Sequence, residues 1–389
     1  MINKLPTINP EGLYGGVVYH DGQFDDSRLA INLAQTALEQ GGTILNYFKV
    51  VSLIKNDQQK IAGVVTTDIE TGKTYQIKGK TVINATGVFV DDLLQMDKPG
   101  KKPMVRPSQG VHLVLDRSFM PGEDALMIPK TEDGRVLFAV PWHDKLVVGT
   151  TDTPIDEHSL EPRALEEEIE FILRTAKKYL TKAPTRKDVL SVFAGLRPLA
   201  APESGSSKTK EISRSHKLLV SESGLITITG GKWTTYRRMG EDTIDKAAVV
   251  GNLPSKPGVT KNLPIHGSKL DVDRNDHLYV YGSDEDALLA LIKENNEWGN
   301  KLHPDMSYLQ AEVIWGVRYE MARNVEDILA RRVRALFLNA RAAIDMAPLV
   351  AALLAKELGR DKAWEQIQAE DFTRLANGYL LEPYQTKKI

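Results

Sequence analysis

A glycine pair followed by a lysine is the clearest candidate for a charged-ligand site. Residues 229–237 read Thr-Gly-Gly-Lys-Trp-Thr-Thr-Tyr-Arg, so a predicted strand ends at Gly230 and Gly231, and a predicted helix carries Lys232 in its first turn. The first N–H groups of a helix have no intrahelical partner and lie at the positive end of its dipole, which favours an anion. An ordinary strand–turn–helix joint with a surface lysine explains the same residues about equally well.

A second candidate is the run Asn84, Ala85, Thr86 and Gly87 at the end of an apolar predicted strand. Small residues and a glycine at such a strand end let a flat ligand pass close to the backbone. Most strand ends of this kind contact no ligand, so the run carries weight only together with the other motifs.

Arginine and histidine supply candidate groups for anion binding and proton transfer. Arg197 lies in the run Gly-Leu-Arg-Pro-Leu, where glycine and proline restrict the backbone around a guanidinium that can bind a phosphate or carboxylate bidentately. Arg214 follows and could bind the same anion, although a structural arginine paired with a carboxylate is the alternative. His112 is a candidate base on a predicted strand, but such a histidine is more often a core residue. Residues 149–152, Gly-Thr-Thr-Asp, are explained by a structural turn.

Composition narrows the class of protein. The 389 residues carry 50 Lys and Arg against 52 Asp and Glu, a net charge of −2, so we expect no nucleic-acid partner. The lack of cysteine excludes disulfides, thiolate metal sites and cysteine nucleophiles, and no His-Glu-x-x-His motif predicts a metal. The apolar stretches fall short of the roughly 20 residues of a membrane-spanning helix. We therefore expect a cytoplasmic protein that is at most peripheral to the inner face of the cytoplasmic membrane.

Hydrophobic periodicity predicts a mixed α/β chain that ends in helices. Residues 1–100 mix strand and helix patterns and include a strand near 14–20, residues 101–215 have the short strands typical of an antiparallel sheet, and residues 216–250 form a strand, a turn and a helix. After a linker rich in Pro and Gly, residues 262–389 are predicted to be an all-helical domain. Helices are predicted at 162–180, 284–293, 306–317, 325–338, 345–358 and 362–376.

Capping and turn residues make two further predictions. Asp25 and Ser27 can cap a helix that ends at Gly41. Residues 61–68 and 74–78 read as two strands of a hairpin joined across a Thr-Gly pair.

In their order and spacing, these segments resemble the FAD-dependent glycerol-3-phosphate dehydrogenases. The match runs from about residue 12 to the linker and more loosely through the helical tail. Any single motif is weak, whereas the ordered set is specific. The matching segments are residues 25–29, 82–87, 141–142, 149–152, 195–199, 230–237 and 326–332.

The resemblance implies that further sequence precedes this chain. The family opens with a strand, a G-x-G-x-x-G turn and a helix that hold the FAD pyrophosphate, and no G-x-G-x-x-G occurs here. The implied fold is an incomplete FAD-binding α/β domain, an antiparallel-sheet substrate domain and a C-terminal all-helical domain. On this reasoning we expect the chain by itself to be colourless, poorly soluble and inactive.

The resemblance also implies a reaction and roles for individual residues. A hydride would pass from C2 of sn-glycerol 3-phosphate to FAD, giving dihydroxyacetone phosphate. Arg197 and Arg214 would clamp the phosphate, and His112 would take the hydroxyl proton. Lys232 and Thr235 would also contact the substrate. The implied FAD contacts are Val50, Asn84, Ala85, Thr86, Gly87, Gly230, Gly231, Lys232, Trp233 and Thr234.

Partners and alternatives follow from the same reasoning. The electrons would go to a membrane quinone, or to oxygen in the oxidase branch of the family, and a homo-oligomer is possible. Membrane-surface contact could use a basic helix face, although a salt-bridged face is the commoner explanation. Two other functions stay open: a related flavin oxidase acting on an amino or hydroxy acid, and a folded fragment without enzymatic activity. The basic face comprises Arg331, Arg332, Arg334 and Arg341.

Overall fold

The computed structural model describes residues 2–132, 134–200 and 216–384. Arg214, a predicted phosphate ligand, lies outside these ranges. Within them the strands form three sheets, and helices dominate from residue 285 onward. The predicted mixed α/β class with a helical C-terminal region is therefore confirmed. Across the described ranges, no helix combines the length and apolarity needed to cross a membrane.

The first helix, α1 (Asp26–Glu39), begins and ends where the capping residues predict. The side chain of Asp25 accepts a hydrogen bond from the backbone N–H of Arg28 at 3.0 Å. Gly41 follows the last turn with φ +85°, a left-handed conformation that glycine adopts at little cost.

The strand predicted near residues 14–20 is wrong. These residues belong to no strand, and Val17 is 91% exposed. A strand exists only where a neighbouring backbone accepts and donates its hydrogen bonds, and none of the described strands pairs with this segment.

The strands divide among three sheets. Their bounds are β1 (Phe48–Lys55), β2 (Ile61–Asp68), β3 (Thr74–Lys78), β4 (Ile83–Asn84), β5 (Val105–Asp116), β6 (Leu126–Ile128), β7 (Leu137–Trp142), β8 (Lys145–Gly149), β9 (Thr153–Pro154), β10 (Val189–Ala200), β11 (His216–Val220) and β12 (Ile226–Gly230). The first sheet, β1–β2–β3, contains the predicted hairpin. The second is antiparallel, in the order β10–β5–β8–β7–β6 with β9 beside β5. In the third, β12 pairs with β11 antiparallel and with β4 parallel.

The helices after α1 lie partly against the sheets and partly in the C-terminal region. Their bounds are α2 (Val90–Asp97), α3 (Glu166–Tyr179), α4 (Tyr236–Val250), α5 (Glu285–Glu294), α6 (Gln310–Tyr319), α7 (Ala335–Leu338), α8 (Ala340–Leu358) and α9 (Lys362–Asn377). The helix predicted at 325–338 is not continuous: a π-helix, Asp327–Arg332, is separated from α7 by a break at Arg334, which has φ +61°. Arg334 donates to the carbonyl of Ala330 at 2.9 Å and pairs with Asp26 at 3.1 Å, contacts that hold the break.

Each of the two large regions has its own hydrophobic core. One face of the second sheet packs Val111 and Leu113 against Ile172 of α3. The helical region buries a separate core in which Ile344 and Val350 of α8 are fully enclosed. Burial of contiguous apolar surface is the main stabilising contribution to a domain, so each region has the basis for independent stability.

We expect residues 262–389, expressed alone, to give a helical circular dichroism spectrum and a cooperative thermal melt. The midpoint should lie below that of the whole chain, because Glu320 would lose its buried partner Arg28 and Phe337 would lose its edge-to-face contact with Phe193. A disordered spectrum for the isolated region would show that its core depends on the sheets.

Candidate active site

Strand pairing in the second sheet brings the two main candidate residues to one face. Along β5 the side chains alternate, so Val111 enters the core while His112 faces the other side. On β10, Phe193 lies opposite His112, and Arg197 lies opposite Ser108. His112 and Arg197 therefore share the face of the sheet opposite the one that packs on α3, and at Phe193 this face contacts the core of the helical region.

Arg197 is held against the sheet but remains accessible. Its Nη2 donates to Thr150 Oγ1 at 3.1 Å, and its Nη1 lies 3.6 Å from Asp152 Oδ1. The guanidinium lies over Gly110, where an added Cβ would be 2.3 Å from Nη2, whereas a Cβ on Gly195 would meet no atom within 4 Å. The side chain is 37% exposed, so an anion can reach it.

His112 is neutral at physiological pH. Burial and the neighbouring Arg197 charge lower the pKa of its imidazole from 6.5 to about 4. The ring stacks on Phe193, with centroids 5.2 Å apart, and a Cβ added to Gly149 would be 2.5 Å from its Cδ2. A neutral imidazole can accept a proton, which the general-base role requires.

The pKa of His112 predicts a specific pH dependence of stability. Because the folded-state pKa is lowered, the neutral ring favours the folded state above pH 6.5, and this contribution is lost as the pH falls towards 4. We expect His112→Asn to flatten the decline in the free energy of unfolding across that interval, measured by urea denaturation.

His266 provides the contrasting control. Its ring contacts Glu39 at 2.6 Å and Asp284 at 2.7 Å, and hydrogen bonds to these carboxylates raise its pKa above 6.5 against the opposing effect of burial. Its stabilising contribution is therefore complete below pH 6.5 and is lost as the pH rises through the raised pKa. Equal pH profiles for His112→Asn and His266→Asn would contradict both assignments.

Two glycine-containing turns follow adjacent strands of the third sheet. β4 and β12 are parallel, and Asn84, the last residue of β4, lies opposite Thr227, so β12 continues for three more residues before it ends at Gly230. Gly87, Gly230 and Gly231 have φ of +63°, +72° and +73°, conformations that other residues rarely adopt. The structure thus brings together the two runs that the sequence analysis singled out separately.

Asn84 shapes its turn through its own side chain. Its Nδ2 donates to the carbonyl of Val90 at 2.9 Å, and its Oδ1 accepts from Thr86 Oγ1 at 2.7 Å. These bonds leave the backbone from Ala85 to Gly87 as the part of this run that can approach a ligand.

The segment after Gly231 is exposed, and its helix begins later than predicted. Lys232 precedes a short 3₁₀ turn, Trp233–Thr235, and α4 begins only at Tyr236, so the prediction of a lysine in the first turn of the α-helix is wrong. The hydroxyl of Thr235 donates to the carbonyl of Lys232 at 2.9 Å, which stabilises the 3₁₀ turn in place of a regular helix start. Lys232, Trp233, Thr234 and Thr235 are all exposed.

The glycine turns and the arginine face are neighbours. The 3₁₀ turn Gly87–Phe89 packs against β5, β10 and β12. Val50 lies on β1 in the first sheet, whereas Asn84 and Gly230 lie in the third. The Gly87–Phe89 turn thus contacts the two strands that carry His112 and Arg197 and the strand that ends at Gly230.

The sequence analysis missed the residues that hold Arg197. Residues 149–152 were explained as a structural turn, and Thr151 does bind Glu168 Oε1 at 2.7 Å. Thr150 and Asp152, however, contact Arg197. That contact depends on the registers of β5, β8 and β10 and has no local sequence pattern.

Comparison with known proteins identifies the family in which these glycine turns and this arginine-bearing sheet occur. Residues 2–237 match the family described as FAD dependent oxidoreductase, and residues 225–365 match the C-terminal domain of alpha-glycerophosphate oxidase. The chain belongs to the FAD-dependent oxidoreductases, and within them to the glycerol-3-phosphate dehydrogenases.

Individual relatives support the assignment to the glycerol-3-phosphate dehydrogenases. The solved glycerol-3-phosphate dehydrogenase of Bacillus halodurans, complexed with FAD, superposes with a TM-score of 0.86 at 30% identity, covering 99% of this chain and 79% of that one. A probable mitochondrial glycerol-3-phosphate dehydrogenase of Dictyostelium discoideum is 40% identical over 85% of this chain and 56% of its own length. The human mitochondrial enzyme is 37% identical over 95% of this chain and 54% of its own. The chain thus spans just over half the length of these two relatives.

Proposed function

We propose that this chain provides the substrate-binding face of an FAD-dependent dehydrogenase that oxidises sn-glycerol 3-phosphate to dihydroxyacetone phosphate. The observation that carries the proposal is that the accessible Arg197 and the buried His112 lie on the same face of the second sheet, beside the Gly87–Phe89 turn. The substrate presents a phosphate and a secondary hydroxyl on a three-carbon chain, which an anion anchor next to a proton acceptor matches.

The glycine turns fit a flavin cofactor. A Cβ added to Gly87 would meet no atom within 4 Å, so the backbone at this positive-φ turn is open to a ligand. The turns at Ala85 to Gly87 and at Gly230 to Lys232 would hold FAD through backbone contacts. When bound, FAD supplies the acceptor for the hydride that leaves C2 of the substrate.

The remaining chemistry belongs to residues of this chain. Arg197 binds two phosphate oxygens and orients C2, while Lys232 adds positive charge at the adjacent turn. A ring nitrogen of His112 accepts the hydroxyl proton as the carbonyl forms. A phosphate dianion at Arg197 offsets the guanidinium charge that depresses the pKa of His112, so substrate binding makes this base stronger. Arg214 stays a proposed second phosphate ligand.

The acceptor, location and assembly state are also proposals. We propose a quinone as the acceptor, because these relatives are named dehydrogenases and not oxidases, and we propose a cytoplasmic protein that reaches a membrane surface. Within the basic helix face, Arg331 pairs with Glu326, Arg332 is buried and donates to the carbonyl of Glu320, and Arg334 pairs with Asp26. Three of the four arginines of this face thus have partners within the chain, which favours a salt-bridged face over a membrane contact. A homo-oligomer stays a proposal.

The test is an anaerobic titration of the purified protein supplied with FAD, which decides between the proposed function and the expectation from the sequence that the chain by itself is inactive. If the proposed function holds, glycerol 3-phosphate bleaches the flavin band at about 450 nm, whereas glycerol, lactate and glycine do not. Reoxidation by a soluble quinone or by oxygen then identifies the acceptor. Bleaching by lactate or glycine would favour an oxidase of another small acid, and a protein that takes up no FAD would count against the proposal for this chain.

A further inference from the structure

Residues 150–153, which include the two contacts of Arg197, are anchored to helix α3. Glu168, on α3, is 3% exposed and accepts hydrogen bonds from Thr151 Oγ1 and Thr153 Oγ1, both at 2.7 Å. It also accepts from Gln109 Nε2 at 2.7 Å and from the backbone N–H of Leu165 at 3.0 Å. A buried carboxylate with four donors is a rigid anchor.

Successive side chains of residues 150–153 point to opposite sides and bind different partners. Thr151 and Thr153 bind Glu168, while the intervening Thr150 and Asp152 contact the guanidinium of Arg197. Asp152 is itself restrained, because the fully buried Ser108 donates its hydroxyl hydrogen to Asp152 Oδ1. The same carboxylate oxygen is the one that faces Arg197 Nη1.

We propose that Asp152 is a positioning residue that holds the Arg197 guanidinium over Gly110, in the orientation that receives the anionic group of the substrate. A free arginine side chain loses rotamer entropy on immobilisation, so orienting it beforehand favours ligand binding. The inference deepens the proposed function and rests on it for the identity of the anion.

Anion binding by Asp152→Asn distinguishes a positioning role from a simple effect of charge. Removing a carboxylate beside an anion site strengthens binding through Coulomb's law alone. If Asp152 positions Arg197, Asp152→Asn instead weakens binding, since the guanidinium leaves its place over Gly110. We expect at least a tenfold loss in affinity for glycerol 3-phosphate and for inorganic phosphate, measured by calorimetry. Tighter or unchanged binding would overturn the proposal.

A second readout requires neither ligand nor FAD. Burial lowers the pKa of His112, and the charge of Arg197 lowers it further, so the imidazole responds when the guanidinium moves. In protein carrying ¹³C-labelled histidine, with the signal assigned through His112→Gln, the pKa of His112 should rise in Asp152→Asn and in Arg197→Ala. A mere loss of negative charge would lower this pKa, and a lower or unchanged pKa in Asp152→Asn would overturn the proposal.

Controls separate positioning from misfolding and from failure of the proposed function. Asp271→Asn, an exposed site elsewhere, should leave the pKa of His112 unchanged. If Asp152→Asn does not fold, Thr150→Val replaces it as the test. This substitution removes the 3.1 Å hydrogen bond from Arg197 Nη2, so it should also raise the pKa of His112. An unchanged pKa in Thr150→Val would then overturn the proposal. The spectroscopic result stands even if the wild-type protein oxidises nothing, so the two failures are distinguishable.

Discussion

Replacing Glu320 by alanine should lower the free energy of unfolding by about 3–5 kcal/mol. Glu320 and Arg28 form an ion pair between the helical region and α1, with side chains only 1% and 9% exposed. Trp315 Nε1 also donates to Glu320 Oε1 at 3.0 Å, and the guanidinium of Arg28 lies 4.6 Å from the ring centroid of Tyr281. The substitution would leave a buried charge without its counter-ion. Urea denaturation followed by circular dichroism measures the loss.

The matched control is an exposed pair. Lys98 and Glu222 are 3.2 Å apart with side chains 67% and 89% exposed, so Glu222→Ala should cost less than about 1 kcal/mol. The double variant Arg28→Met/Glu320→Leu should recover most of the stability lost in Glu320→Ala, because it removes both buried charges. Equal losses of unfolding free energy in Glu320→Ala and Glu222→Ala would show that the Arg28–Glu320 pair does not stabilise the contact between the helical region and α1.

Replacing Arg197 by alanine should reduce kcat/KM for glycerol 3-phosphate by more than about a hundredfold in the FAD-loaded enzyme, since two charge-assisted hydrogen bonds to phosphate are lost. Arg197→Lys should restore only part of the activity, because an ammonium group cannot bind two oxygens in the planar geometry of a guanidinium. Steady-state kinetics with glycerol 3-phosphate measures both effects.

An arginine on the same domain but away from the site provides the control. Arg174 on α3 is 60% exposed and pairs with Glu132 at 3.4 Å, so Arg174→Ala should leave kcat/KM unchanged. Near-normal kcat/KM in Arg197→Ala would remove Arg197 from the substrate site.

Sequence patterns correctly predicted the helices and hairpins that are determined by residues close together in the sequence. The hairpin of β2 and β3 follows from alternation around a Thr-Gly turn, and α1 follows from its Asp25 cap. The strand β10 was not predicted, because its Gly195 and Pro198 disfavour a strand. It forms because pairing with the long strand β5 outweighs local preference, and it is this pairing that places Arg197.

Contacts between residues that are distant in the sequence were also missed in the candidate site. Residue types identified Arg197 and His112 as chemical groups, but nothing local indicated that Asp152 and Thr150 would contact the guanidinium. Contacts of this kind arise from register across several strands, which a single sequence does not reveal.

The binding of glycerol 3-phosphate tests the central claim most directly. Calorimetric titrations of the wild-type chain and of Arg197→Ala, each with glycerol 3-phosphate and with glycerol, isolate the contribution of the phosphate and of its proposed anchor. We expect measurable binding only for glycerol 3-phosphate with the wild-type chain. Equal binding of glycerol and glycerol 3-phosphate, or undiminished binding by Arg197→Ala, would contradict the assignment of this sheet face as the substrate site.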